Sequence, residues 1–229
     1  MRYAIIVAGG IGSRFKSKQE EVMPKQFLIL AGKPVLMHTL EKFNLADNQI
    51  KIIVVLPEKN IEQWNSLCAK YNFPVPHKIT TGGETRFHSV KNGLTLVEES
   101  DVVAVHDGVR PLVSVRLIKK CFEEAEKNGS AVPCIPVAES IRHIIDKYTN
   151  VVADRNSFVI IQTPQCFDST ILKKAYASDV DGLFTDDATV VEYSGQPIHL
   201  IEGERENIKI TYPADLTIAE TYLSLANNH

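Results

Sequence analysis

The chain has no long apolar run: nothing in its 229 residues approaches the ~20 consecutive apolar residues that span a bilayer. Its opening, MRYAIIVAGG, enters a strand-like segment at once, without the blocks of a secretory leader. It lacks a basic excess. Twenty-five Lys and Arg stand against 28 Asp and Glu, for a formal net charge of −3. That balance argues against a general nucleic-acid binder but leaves room for a local basic pocket. Paired cysteines are also missing. Cys68, Cys121, Cys134 and Cys166 are far apart with no C-x-x-C among them, which argues against a disulfide framework or a zinc site. Small buried apolar side chains in a reducing compartment are the plainer reading. The histidines show no metal-ligand spacing, and no Ser-His or Cys-His pair stands out. No segment repeats and none is of low complexity. The expectation is a single cytoplasmic domain spanning 1–229, with neither nucleic acid nor membrane as a partner.

What is there is a regular alternation. Segments 3–8, 50–57 and 101–107 are continuous apolar runs, as strands buried on both faces should be. PVLMHTLEKF (34–43), NIEQWNSLCAKY (60–71), TRFHSVKNGLTLV (85–97) and VRLIKKCFEEAEKNG (115–129) space their apolar residues as helices do, the last closed by Gly129. Shorter strands are expected near 78–80, 130–137 and 198–201, and helices near 169–177, 186–193 and after Pro213. The β-α-β-α order predicts an α/β fold: a mostly parallel sheet with helices on both faces. Residues 138–160 break the rhythm. They alternate apolar and polar residues around 147–150, which predicts a protruding β-hairpin arm. Such a hairpin is marginal alone, so a partner subunit is a natural surface for it.

Ligands of such sheets sit beyond the carboxyl ends of the strands, which brings loops 9–25, 81–89 and 107–111 to one rim. In YAIIVAGGIGSRFKSKQEEVMPKQFL, Ala8 is followed by Gly9, Gly10 and Gly12, whose bare amides let a ligand approach. The sixth place of a G-x-G-x-x-G is Phe15, and no G-K-[ST] follows, so neither standard phosphate loop is present. The loop exceeds the roughly 2–6 residues usual for a βα connection. Arg14 and Lys25 flank its polar insert, and two cations beside an amide-lined turn suit a polyphosphate. Taken singly, the glycines describe a plain turn and the cations a solvated surface.

In TGGETRFHS (81–89), Gly82 and Gly83 permit an extended, ligand-facing backbone. Arg86 opens a helix where the dipole disfavours a cation, unless it holds a loop or an anion. Ser89 is within reach of a base edge. VHDGVRP (105–111) ends a buried strand with Asp107, suited to a sugar hydroxyl or a metal, then Arg110; His106 reads as a packed histidine. Arg155, Thr163, Thr185 and Lys209 each put a phosphate-friendly group near an element end. Asp186 and Asp187 read as first-turn acids of a helix.

Taken in order, AGGIGSRF…PKQFL, GGETRFHSV, VHDGVRP, DRN…QTPQCF, TDDA and EGERENIKIT resemble the 2-C-methyl-D-erythritol 4-phosphate cytidylyltransferases, over about residues 3–223. The resemblance implies a Rossmann-like, homodimeric nucleotidyltransferase whose arm exchanges with its neighbour. The implied reaction joins CTP to methylerythritol phosphate with release of pyrophosphate, needs Mg²⁺, and belongs to the non-mevalonate isoprenoid route. It implies that Ala8, Gly9, Gly10 and Gly12 lie against CTP, with Gly82, Gly83, Glu84 and Ser89 at its cytosine and ribose. Arg14, Lys25 and Lys209 would be the stabilising cations and Asp107 the Mg²⁺ and sugar position. Arg110, Thr163, Thr185 and Arg155, the last from the partner's arm, would meet the polyol phosphate. Two positions depart from the family's usual pattern: Glu84 in place of aspartate, and Gly108-Val109 in place of two alanines.

The nearest rival is a ribitol-5-phosphate cytidylyltransferase, with the same chemistry. A rival of another class, a non-catalytic nucleotide-binding module, has no reason to carry Arg14, Lys25 and Lys209 together. A nicotinamide dehydrogenase lacks its acidic strand end, because IIVVLPEKN places Pro57 before Glu58.

Overall fold

The computed structural model describes residues 1–9, 23–98, 102–177 and 184–226. In chain order the elements are β1 (Arg2–Val7), a ribbon of β2 (Ile29–Leu30) and β3 (Lys33–Pro34), α1 (Val35–Ala46), β4 (Lys51–Leu56), α2 (Ile61–Lys70), β5 (Lys78–Thr81), α3 (Arg86–Leu94), β6 (Val102–Asp107) and α4 (Val115–Asn128). Then come β7 (Ser130–Pro136), β8 (Ile141–Ile144), β9 (Asn150–Ala153), β10 (Val159–Ile161), β11 (Gln165–Asp168), α5 (Ser169–Tyr176), α6 (Asp187–Tyr193), β12 (Leu200–Glu202) and α7 (Pro213–Ala226).

The main sheet runs β10-β7-β11-β6-β1-β4-β5, with β12 beside β7. Its β5-β4-β1-β6 portion is parallel, and β11 joins antiparallel to β6. This is the expected α/β, Rossmann-like sheet. Strand alternation sorts β1 between two cores. Ala4 and Ile6 pack on one face with Leu36, Leu40 and Phe43 of α1, Trp64 of α2, and Ile118 and Phe122 of α4. Tyr3 and Ile5 pack on the other with Phe87 and Val90 of α3, Leu172 of α5 and Val191 of α6. Each large apolar side chain buried this way contributes about 1.5–3 kcal/mol, so the paired faces dominate the fold's stability. A third cluster, Leu30, Val35, Ile210 and Ala219, seats α7 against the ribbon.

The α4 helix is closed at both ends. Ser114 Oγ accepts from the Leu117 amide, and Gly129 takes φ +79° and donates to the Ala125 carbonyl.

The arm is shorter than the sequence suggests. Only β8 and β9 form the separate two-stranded sheet, paired from Ile141↔Ala153 to Ile144↔Asn150. Asp146 closes the turn by accepting from the amides of Tyr148 and Thr149. Val159 and Ile160, expected in the arm, instead pair antiparallel, together with Ile161, with Pro136, Ile135 and Cys134 at the edge of the main sheet. Both β9 (NVVA) and β10 (VII) are short and rich in β-branched residues, so nothing local marks that change of sheet. Among the described residues, no helix is long and apolar enough to cross a membrane.

Candidate active site

Strand β1 lies between β4 and β6, so the chain leaves it toward opposite sides of the sheet and a crevice opens beyond the strand ends. A cavity of about 280 Å³ occupies it, and Ala8, Gly9, Lys25, Gly83, Glu84, Ser89, Asp107 and Lys209 are all in its wall. A second cavity of about 220 Å³ adjoins it, with Arg110, Thr163 and Thr185 in its wall. Arg86, Asp107 and Lys209 belong to both, so they mark the junction.

Lys25 is delivered by packing. It starts a 3-10 turn, Lys25–Phe27, whose Phe27 ring is buried and stacks on Trp64 at 5.9 Å. Trp64 is itself held by donating from Nε1 to His77 Nε2 at 3.0 Å. The loop after β5 is braced from within: Ser89 Oγ accepts from the Gly83 amide at 3.1 Å and donates to the Thr85 carbonyl at 3.0 Å. A Cβ on Gly83 would lie 2.3 Å from His88 Cβ, so only glycine lets the loop fold back this closely. Ser89, expected at a base edge, therefore has a structural duty as well.

Asp107 is buried at the end of β6 among three cations. Its carboxylate lies 3.0 Å from Lys209 Nζ, 3.2 Å from Arg110 Nε and 4.0 Å from Arg86 Nε. Burial opposes its ionisation, but Lys209, Arg86 and Arg110 outweigh that and hold the carboxyl well below its usual range. Asn207, also buried, ties the neighbouring strands of chain together. Its carbonyl accepts from Arg110 Nη1 at 2.8 Å, and its Nδ2 donates to the Thr163 carbonyl at 2.8 Å. The Ile210 amide donates to the Val109 carbonyl. These bonds pin the Lys209 segment to the Arg110 loop.

His106 is fully buried, as a packed histidine should be. Its Nε2–H donates to the Arg110 carbonyl at 3.2 Å, which leaves Nδ1 to accept from Thr163 Oγ1 at 3.0 Å. Thr163 Oγ1 in turn accepts from the Asp107 amide at 3.1 Å. Desolvation drives the imidazole pKa down to about 3, so it is neutral at physiological pH. Thr163 thus lines the second cavity while its hydroxyl is engaged inside the protein.

Arg86 meets the expectation that it holds an anion, and the anion is Asp187. The guanidinium donates to both Asp187 oxygens, at 2.7 and 2.6 Å, and Tyr176 Oη donates to Oδ1 at 2.6 Å. Asp187 is therefore no solvated first-turn acid. The helix cap is Asp186, whose Oδ1 accepts from the Thr189 amide. Sequence reading missed the pair because its members lie 101 residues apart, with no local pattern to join them. Asn207 carries no such pattern either. Arg155 lines neither cavity of the chain; on the turn after the arm it donates to the Ala138 carbonyl at 2.7 Å. Gly82 stands beside the wall, its amide donating to the Leu56 carbonyl. Gly10, Gly12 and Arg14 lie outside the described residues.

The model of the 2-C-methyl-D-erythritol 4-phosphate cytidylyltransferase family matches residues 3–225. The chain belongs to this family. It is 50% identical over 222 residues to the enzyme of that name from Bacteroides fragilis, covering 97% of this chain and 99% of the relative. The enzyme from Porphyromonas gingivalis is 48% identical over 97% of this chain and 98% of its own. Among solved structures, 4-diphosphocytidyl-2C-methyl-D-erythritol synthase from Anaerococcus prevotii superposes with a TM-score of 0.81 at 28% identity, over 97% of this chain and 96% of that one. The cytidylyltransferase from Thermus thermophilus gives 0.77 at 30% identity, over 97% and 98%. The protein is thus a nucleotidyltransferase of isoprenoid biosynthesis. Its two departures from the cytidylyltransferase pattern are accommodated locally. Glu84 is exposed on the wall of the larger cavity. A Cβ at Gly108 would sit 3.0 Å from Leu36 Cδ1 and 3.1 Å from Ala8 Cβ, so glycine relieves a tight contact beneath the crevice.

Proposed function

We propose that the protein joins CTP and 2-C-methyl-D-erythritol 4-phosphate to give 4-diphosphocytidyl-2-C-methyl-D-erythritol and pyrophosphate, with the triphosphate in the larger cavity and the alcohol phosphate in the smaller. Asp107 and Lys209 at the junction of the two cavities, with Lys25 in the wall of the larger and Arg110 in the wall of the smaller, carry this reading. Ala8, Gly9, Gly82, Gly83, Glu84 and Ser89 would receive the nucleotide, together with Gly10, Gly12 and Arg14 of the segment not described. Arg110, Thr185 and the Thr163 loop would receive the alcohol phosphate, and the partner subunit's arm would deliver a second Arg155.

An oxygen of the alcohol phosphate attacks the α-phosphorus of CTP, and pyrophosphate leaves. The attacking phosphate is already ionised, so no protein base is needed. His106, neutral with both ring nitrogens engaged, is no rival for that role. Lys25, Lys209 and Arg14 would hold the two anions together and stabilise the charge that builds on the non-bridging oxygens. Asp107, kept ionised on both cavities, is a hard oxygen donor of the kind that shares Mg²⁺ with substrate phosphates. Bound there, Mg²⁺ would supply further charge neutralisation. Among the described residues, no group of three His, Cys, Asp or Glu could hold a metal alone; Asp107 would share the ion with the substrate phosphates.

The exposed apolar side chains of the arm support a homodimer, and a CTP-dependent reaction fits a cytoplasmic enzyme. Pyrophosphate release from CTP, measured with methylerythritol phosphate and with ribitol 5-phosphate in separate assays, tests the reading. Faster release with ribitol 5-phosphate would overturn the substrate assignment, and no release with either would overturn the chemistry.

A further inference from the structure

Arg86 is the one junction residue that the proposed reaction leaves without a task. Its guanidinium lies between two carboxylates, gripped in a fork by Asp187 and 4.0 Å from Asp107. It begins α3, where a cation opposes the helix dipole. The Asp187 grip is wholly buried, its side chain at 0% exposure, yet Arg86 keeps 23% of its own side chain open. That open edge lines both cavities. A staple between α3 and α6 alone would need no such edge.

We propose that Arg86 is a positioning residue of the transfer reaction, set by Asp187 and Tyr176 from behind, forming the partition between the two cavities and holding Asp107 at their junction. Lys209 is half exposed and reaches Asp107 along a flexible stem. The bidentate fork makes Arg86 the fixed member of the set. Through α3 it ties the loop at Gly83 and Glu84 to Thr185, which directly precedes the Asp186 cap of α6. One group thereby sets the distance between the nucleotide wall and the alcohol-phosphate wall.

The inference rests on the proposed reaction, so pyrophosphate release by the wild-type enzyme is measured first; its absence would fault that reaction rather than this residue. The test is the double variant Arg86→Gln/Asp187→Asn, which replaces the ion pair with an uncharged amide pair of similar shape. A merely structural pair predicts an unchanged kcat once the melting temperature is close to wild type. The positioning role predicts a kcat loss of tenfold or more, in the range of roughly 10–100-fold seen when outer supporting groups of a site are removed, with KM for CTP changed less than kcat. A smaller kcat loss in the folded variant overturns the proposal. Should the double variant fail to fold, Arg86→Lys decides. Lysine keeps a positive charge opposite Asp187 but cannot form the fork, so a folded Arg86→Lys that loses kcat tenfold or more, with KM for CTP changed less, supports the positioning role, and a smaller loss overturns it.

Discussion

Asp107 is surrounded by more positive charge than it can neutralise: Lys209 at 3.0 Å, Arg110 at 3.2 Å and Arg86 at 4.0 Å. The surplus is what a second anion would find on arrival. Replacing Lys209 with alanine should lower kcat by roughly 10²–10³, as deletion of one stabilising donor does elsewhere. The fold should survive, because Lys209 is about half exposed; steady-state pyrophosphate release and a melting curve report the two effects separately. Beneath it, His106 makes a pH prediction. Its ordinary value is near 6.5 and its folded value is about 3. Below pH 6.5 the unfolded chain therefore takes up a proton that the folded one refuses, and stability falls as pH drops from 6.5 toward 3. The slope from this one group approaches ~1.4 kcal/mol per pH unit. His106→Gln should start less stable but show a flatter melting temperature between pH 6.5 and 4. Equal slopes would show that other groups govern the acid limb. Of these residues, Asp107 stands out in the sequence because it ends a buried apolar run, and Lys209 through the EGERENIKIT motif that carries it. The Thr163–His106 bond does not, because it joins residues 57 apart.

At the scale of elements, α3 shows how close packing sets the crevice wall. Its Gly93 faces β1 and β4, and a Cβ there would lie 2.8 Å from Ile5 Cγ2 and 3.2 Å from Val55 Cγ2. Gly93→Ala gains at most ~1 kcal/mol of helix propensity, while overpacking a filled core costs about 1–3 kcal/mol. The net expectation is destabilisation by about 1 kcal/mol, read as a lower denaturant midpoint at unchanged slope. The helices and buried strands themselves were legible because apolar spacing of 3.6 or an unbroken apolar run leaves few alternatives. The boundary between arm and sheet was not, since β9 and β10 are both short β-branched segments, and only pairing with β7 separates them.

At the scale of the whole molecule, exposed apolar side chains gather on the arm and the adjoining sheet edge. Ile144, Ile145, Tyr148, Val152 and Phe158 are all exposed, Tyr148 by 85% and Val152 by 78%, more apolar area than a solitary hairpin keeps in water. Tyr148→Asp combined with Val152→Asp should shift the protein toward monomer in sedimentation. KM for the alcohol phosphate should rise more than KM for CTP, since Arg155 lines neither of the two site cavities of its own chain. A dimer unaffected by both charges would place the interface elsewhere. The amino-acid order alone determined the βα rhythm and pointed to Gly9, Lys25, Gly83 and Asp107 at one rim, where the fold brings them together, because periodicity and backbone freedom act locally. Tertiary structure decided that Arg86 answers to Asp187, that Asn207 ties Lys209 to Arg110, and that Thr163 spends its hydroxyl inside. Those pairings join groups far apart along the chain, and only the closed sheet brings them within hydrogen-bond reach.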